Sequence, residues 1–276
     1  PETALPGRGS ISERSFEKSV ILNNLKSFLS KHPGSVFATG ISSHKFYTSE
    51  ANLPKEAYQL NPQLWVESFN SAVQVIPNRN VEVYHKGKLV PGVEIFPYMS
   101  YLKPLLGDAM LNLGGTVASL GTDKERLAFS NPFNKGKMAP IICYESIYGE
   151  FTGEYVKKGA NFLGIMTNDS WWGVSEGHRQ LLSYARLRAI ETRREIARAA
   201  NSGISAHIDA RGEIIEDTFY GDKTALFAKI NLYDHMTFYT RAGDLLSRFS
   251  IFALGFLLFY FLITRFQEKT RKSRGA

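Results

Sequence analysis

The sequence is poor in the groups that most often announce a chemistry. It has a single cysteine, Cys143, in 276 residues, which excludes an internal disulfide framework and any multi-cysteine zinc site. The six histidines, His32, His44, His85, His178, His207 and His235, form neither an HExxH pattern nor a close pair, so no metal site is expected. No GxSxG, GxGxxG or Walker A sequence occurs, so the chain lacks a serine elbow, a dinucleotide loop and a phosphate loop. No cofactor is expected. Charged residues make up only 21% of the chain and the net charge is +7, a balance unlike that of a disordered or nucleic-acid-wrapping polymer. The start at Pro1 carries no initiator Met, basic n-region or apolar h-region, so no signal peptide is read there.

What the sequence does have is a core-forming composition, with 43% hydrophobic residues and 13% aromatics, and one long uncharged stretch. Phe249 to Thr264 (FSIFALGFLLFYFLIT) is apolar on every helical face, the pattern of a membrane span. Sixteen residues rise about 24 Å at 1.5 Å each, short of a hydrocarbon core of about 30 Å. Leu245 and Leu246 extend the stretch, and Arg248 and Arg265 can snorkel from its ends. The tail RFQEKTRKSRGA holds Arg265, Lys269, Arg271, Lys272 and Arg274 against Glu268. The positive-inside rule therefore places the tail in the cytoplasm and the preceding domain on the outer side, the periplasm in a bacterium.

Along the chain, Lys18 to Ser30 reads as an amphipathic helix stopped by His32-Pro33-Gly34. Strands are expected at Ser35 to Ile41, Val66 to Ile76, Val81 to Lys86, Ala139 to Cys143 and Asn161 to Thr167, with turn-rich sequence over Asn52 to Leu64. A helix over about Tyr148 to Lys158 ends at Gly159. Gln180 to Ala200 reads as one long Arg-rich helix closed by Asn201-Ser202-Gly203. Its arginines (Arg186, Arg188, Arg193, Arg194, Arg198), with Glu191 and Glu195 between them, read as a solvated face rather than a nucleic-acid surface. Ile204 to Ile208, Ile214 to Glu216 and Thr224 to Ile230 supply the last strands. The order alternates strands and helices in an α/β fashion.

Cys143 closes an apolar strand and precedes Tyr144-Glu145-Ser146, a strand-to-helix turn where a side chain can be presented beside free backbone N–H groups. On its own, such a cysteine reads as a small buried hydrophobe. Its context resembles the nitrilase, or carbon–nitrogen hydrolase, superfamily, whose catalytic Glu, Lys and Cys occur in that chain order. Glu2 in PETALP, Lys86 in YHKGKLVPGVE and Cys143 in PIICYES match the three blocks. TNDSWWG at Thr167 to Gly173 and RAIETRREIARAANSG at Arg188 to Gly203 follow in register. Within the superfamily, the YHKxxLVP block, the CYE context and the membrane span after the domain resemble the apolipoprotein N-acyltransferases. LVPGVE departs from the more usual LVPFGE, although Glu94 keeps its spacing from Pro91. That family carries membrane helices and a first strand and helix before the PE motif, so the sequence reads as the C-terminal portion of a longer protein.

The resemblance implies an N-terminally truncated nitrilase-like α-β-β-α sandwich over residues 1–243, one transmembrane helix over 244–266 and a basic cytoplasmic tail over 267–276. It implies Glu2 as general base, Lys86 and the Tyr144 N–H as oxyanion partners, Cys143 as nucleophile and Glu94 as the carboxylate that holds Lys86. Glu145 is either a helix-start carboxylate or part of the thiol's immediate surroundings. Trp171 and Trp172 are either core packing with one rim contact or the lining of a lipid access path. The implied partners are a phospholipid acyl donor, a diacylglyceryl apolipoprotein acceptor and the bacterial inner membrane. A nitrilase-type amidase would use the same Glu, Lys and Cys without needing the span, and a non-catalytic membrane-tethered fragment is the third reading.

Overall fold

The computed structural model describes residues 1–6, 9–95, 119–173 and 175–274. The first sheet is built from β1 (Ile11–Ser12), β2 (Phe37–Tyr47), β3 (Tyr58–Asn61), β4 (Leu64–Val75) and β5 (Glu82–His85). Its order is β1-β2-β4-β3, with β5 also on β4. The long antiparallel pairing from Phe37↔Val75 to Tyr47↔Trp65 fixes its register. Because strand side chains alternate between faces, Val73 and Val75 join Phe16, Leu22, Leu29 and Ile41 in one apolar cluster, while Ala72 packs in the other. Leu22 and Leu29 come from helix α1 (Val20–Ser30), which therefore covers the outer face of this sheet. Each such side chain contributes about 1.5–3 kcal/mol on burial.

The second sheet has the order β11-β10-β9-β8-β7-β6. Its strands are β6 (Phe129–Ser130), β7 (Lys137–Ile142), β8 (Phe162–Asn168), β9 (Ile196–Asn201), β10 (Ala206–Ile208) and β11 (Ile214–Asp217). The central β7, β8 and β9 are parallel. Strands buried on both faces need a nearly continuous apolar run, and Ala139, Ile141, Ile142, Leu163 and Ile165 supply it, each completely buried. They pack on Ala72 and Tyr84 of the first sheet. Against the other face lie Phe151 and Tyr155 of α2 (Gly149–Lys157) and Leu182, Ala185 and Ala189 of α3 (Gly177–Thr192). The layers are thus helix, sheet, sheet, helix, as expected. A short α4 (Phe238–Ala242) leads into the long α5 (Leu245–Arg274). Leu245–Gln267 within α5 is long and apolar enough to cross a membrane and is unburied by the rest of the chain.

Three readings from the sequence need correction. The stretch 180–200 is not one helix: α3 ends at Thr192, Arg193 turns into the left-handed region (φ 51°, ψ 48°), and Ile196–Asn201 is strand β9. The helix-forming Ala, Arg and Glu content there yields to the demand of β8 for a parallel neighbour. Thr224 to Ile230 joins neither sheet, and Phe227 is 89% exposed, so that apolar run is neither paired nor buried. Conversely, the turn-rich stretch before Leu64 holds the exposed edge strand β3.

Candidate active site

The first five residues run beside β2, with Gly40 N–H donating to the Pro1 carbonyl at 3.0 Å and Leu5 N–H to that of Gly40 at 3.2 Å. Gly40 permits this approach, since a Cβ there would stand 2.5 Å from the Pro1 carbonyl oxygen and 2.6 Å from Glu2 Cα. Glu2 is thereby carried into the interior. Lys86, just past β5, has its N–H on the Asn70 carbonyl at 2.8 Å and is completely buried. Its Nζ donates to Glu2 Oε1 and to Glu94 Oε1, both at 2.9 Å. Asn70 Nδ2 donates to the same two oxygens at 2.7 and 2.9 Å. The second carboxylate oxygens are also held, Glu2 Oε2 by the Asn168 N–H and Glu94 Oε2 by the Val90 N–H, each at 2.8 Å. Burial works against the ammonium, but Glu2, the Cys143 sulfur and Glu94 outweigh it and hold the Lys86 pKa above the ordinary lysine value. One cation between two fixed carboxylates stays charged and stays in place.

Cys143 opens a 3-10 turn (Cys143–Ile147) at the end of β7 and sits at φ 47°, a conformation that costs a non-glycine residue about 1–2 kcal/mol. The strain places the thiol at a cavity of about 350 Å³ that Glu2, Asn70, Lys86, Glu94, Tyr144 and Asn168 also line. Val90, Val93, Trp172 and Leu181 make its apolar part. Burial first, and then the charge on Glu2, push the thiol up to about 12, opposed by Lys86 and by a hydrogen bond with Thr167. Glu2, Lys86, Cys143, Glu94 and Tyr144 therefore meet in one cavity. Trp172 is part of its wall and 45% exposed, while the side chain of Trp171 lies outside the described residues.

Glu145 does not line the cavity. It is completely buried beneath the turn, where its carboxylate accepts from Tyr84 OH at 2.6 Å, Gly87 N–H at 2.6 Å and Ile142 N–H at 2.7 Å. It thus ties the residue after Lys86 to the residue before Cys143. Burial pushes its pKa up to about 7 against those donors. Arg126 backs the arrangement with a 2.7 Å bond to Tyr84 OH.

Of the five arginines of the 186–198 stretch, Arg186 and Arg193 are exposed as a solvated face requires, but the other three are not. Arg188, Arg194 and Arg198 are buried. Arg188 donates to the Ile147 carbonyl at 2.6 Å, Arg194 to that of His235 at 2.8 Å, and Arg198 to Asp169 Oδ2 at 2.6 Å. They are internal struts. Two contributors, Asn70 and the Asn168 N–H, escaped the sequence reading; an Asn in the middle of a strand was the available signal for the first, because strands disfavour it. Among the described residues no group of three or more His, Cys, Asp or Glu is arranged to hold a metal ion.

Two packed sheets with a cysteine, a lysine and two carboxylates at one end define a class. The Carbon-nitrogen hydrolase family pattern matches residues 25–235, and the chain belongs to that family. Among curated proteins it is similar to the Apolipoprotein N-acyltransferase of Chlorobaculum tepidum, 37% identical over 168 residues, which are 60% of this chain and 31% of that protein. It is also similar to Apolipoprotein N-acyltransferase 1 of Treponema denticola, 31% identical over 73% of this chain and 38% of that protein. The chain thus spans about a third of the length of these relatives. A carbon-nitrogen hydrolase from Helicobacter pylori G27 superposes with a TM-score of 0.48 at 14% identity, covering 76% of this chain and 66% of that one.

Proposed function

We propose that this chain is the catalytic portion of an acyltransferase that moves an acyl chain from a phospholipid, through a thioester on Cys143, to the N-terminal amine of a diacylglyceryl lipoprotein. The observation that carries the reading is the Lys86 ammonium fixed at 2.9 Å from both Glu2 and Glu94 in the cavity that Cys143 lines. The long apolar helix after the domain and the named relatives support a lipid substrate.

The chemistry follows from proton bookkeeping. With the thiol pushed up to about 12, thiolate is not the resting form, so its proton passes to Glu2 as sulfur attacks the ester carbonyl. The tetrahedral oxyanion meets Lys86 and the Tyr144 N–H. Collapse expels the lysophospholipid alkoxide, which takes the proton from Glu2. In the second half the amine attacks the thioester, Glu2 accepts the amine proton, and the departing thiolate is reprotonated by Glu2. Glu94 and Asn70 keep Lys86 and Glu2 aligned throughout. In this reading residues 1–243 are the periplasmic catalytic domain, 244–266 cross the inner membrane and 267–276 lie in the cytoplasm.

The test is mass spectrometry of the full-length protein in phospholipid vesicles without acceptor. An acyl adduct on Cys143, released lysophospholipid and loss of both in Cys143→Ala are expected, followed by transfer to a lipopeptide amine. Turnover by Cys143→Ala would overturn the mechanism, and transfer of the acyl group to water alone would make the protein a hydrolase.

A further inference from the structure

Behind the thiol, on the side away from the cavity, lies a row of polar groups that the reaction above does not use. The parallel register Ile142↔Met166 brings Cys143 and Thr167 to the same level on neighbouring chains, whose spacing is about 4.8 Å. The Thr167 hydroxyl donates to Asp169 Oδ1 at 2.7 Å and lies on the sulfur side of that carboxylate, where it favours the ionised thiol. Asp169 Oδ2 accepts from Arg198 Nη2 at 2.6 Å, and both side chains are completely inaccessible to solvent. Arg198 Nε is held by the Ile204 carbonyl at 3.0 Å. Gly203 lets the pair sit here, because a Cβ at that position would collide with the Asp169 carboxylate. Arg198 Nη1 is buried and finds no partner among the described residues.

We propose that Thr167 is a positioning residue that shares its hydroxyl between the Cys143 sulfur and Asp169, and that Arg198, by holding Asp169, frees that hydroxyl to steady the sulfur when its proton leaves. The proposal rests on the reading of Cys143 as nucleophile. A hydroxyl has one proton to give. While the thiol is intact, S–H donates to Thr167 Oγ1 and Thr167 O–H donates to Asp169. Once the proton has gone to Glu2, sulfur needs a donor; the Thr167 O–H turns to it and releases Asp169 Oδ1. The unpartnered Nη1 of Arg198 is the group available to take up that oxygen, which converts a single bond into a forked one. No bond is made or broken, and no buried carboxylate oxygen is abandoned. Neither Asp169 nor Arg198 lines the cavity, so both act through Thr167. The charges that face the sulfur are Glu2 and Lys86 from the cavity side and Asp169 and Arg198 from behind.

Iodoacetamide alkylation of the full-length protein across a pH series, read as the modified fraction of the proteolytic peptide that carries Cys143, follows this thiol alone. Thr167→Val is expected to slow alkylation about tenfold at a given pH and to move the profile about one pH unit higher, since one unit of thiol pKa is a tenfold change in thiolate. Thr167→Ser restores the original profile. Asp169→Asn, which removes the anion and leaves Arg198, moves the profile to lower pH. A Thr167→Val profile within twofold of the parent, a Ser variant that behaves like Val, or an unmoved Asp169→Asn profile would each overturn the proposal. Alkylation needs no acyl donor, so it stands or falls apart from the transferase reading, which Cys143→Ala turnover decides.

Discussion

Glu145 offers a sharp test, because burial and hydrogen bonding pull its carboxyl in opposite directions. Three donors at 2.6, 2.6 and 2.7 Å favour the carboxylate, whereas complete burial favours the acid, and burial prevails, lifting the group from 4.5 to about 7. Between those values the folded protein keeps a proton that the unfolded chain has released, so raising the pH through this window removes stability. A rise of that size corresponds to about 3 kcal/mol, fully lost above pH 7. Glu145→Gln does not titrate. The parent should therefore lose about 3 kcal/mol relative to the Gln variant between pH 4.5 and pH 7.5, equivalent to about 6–12 °C in melting temperature for a domain of this size. Thermal melting of both proteins in the same detergent across that range measures the difference, and the other carboxyls cancel in the subtraction. A flat difference would refute the reasoning. A difference of opposite slope would mean that the three donors outweigh burial.

Removing the central cation has a different signature. Lys86→Met leaves Glu2 and Glu94 buried side by side and should cost about 3–5 kcal/mol in stability and about 10²–10³ or more in the rate of acyl-enzyme formation, read by melting and by quenched mass spectrometry; a loss under tenfold in rate would remove Lys86 from the mechanism. Gly40→Ala forces the Pro1–Glu2 backbone away from β2, and a displacement of about 1 Å should cost about 10² in rate, so an unchanged rate would contradict the placement of Glu2. A cysteine introduced at residue 270 in a Cys143→Ala background, its labelling read on its own peptide, should be labelled from the cytoplasmic side only, and labelling from the periplasm would reverse the topology.

The meeting of Glu2, Lys86 and Cys143 and the apolar helix were legible because each is announced by residue identity: an uncharged run of sixteen residues, and Glu, Lys and Cys in a set order. Most strands were legible from short apolar runs. Illegible were the features set by distant partners. Arg198 looks like a helical surface residue until Asp169, 29 residues away, is seen to meet it, and the same misreading hid β9. The Glu145 alternatives close in the same way, since its donors Tyr84 and Gly87 lie on another sheet and its loop. Thr224 to Ile230 shows the reverse failure, a short apolar run that pairs with no strand.

The site is also stitched together across the whole length of the chain. Glu2 meets Lys86 at a separation of 84 residues and the Asn168 N–H at a separation of 166. Closing such long loops is the slow part of assembly. During synthesis Cys143 emerges long after Glu2, and the Asn168 amide that holds the Glu2 carboxylate emerges later still. Until the second sheet has formed and docked, the sulfur therefore has neither the Glu2 carboxylate nor the Lys86 ammonium in place. An incompletely folded chain carries an ordinary, unassisted cysteine, so under the proposed reaction acylation competence doubles as a report that both sheets have closed.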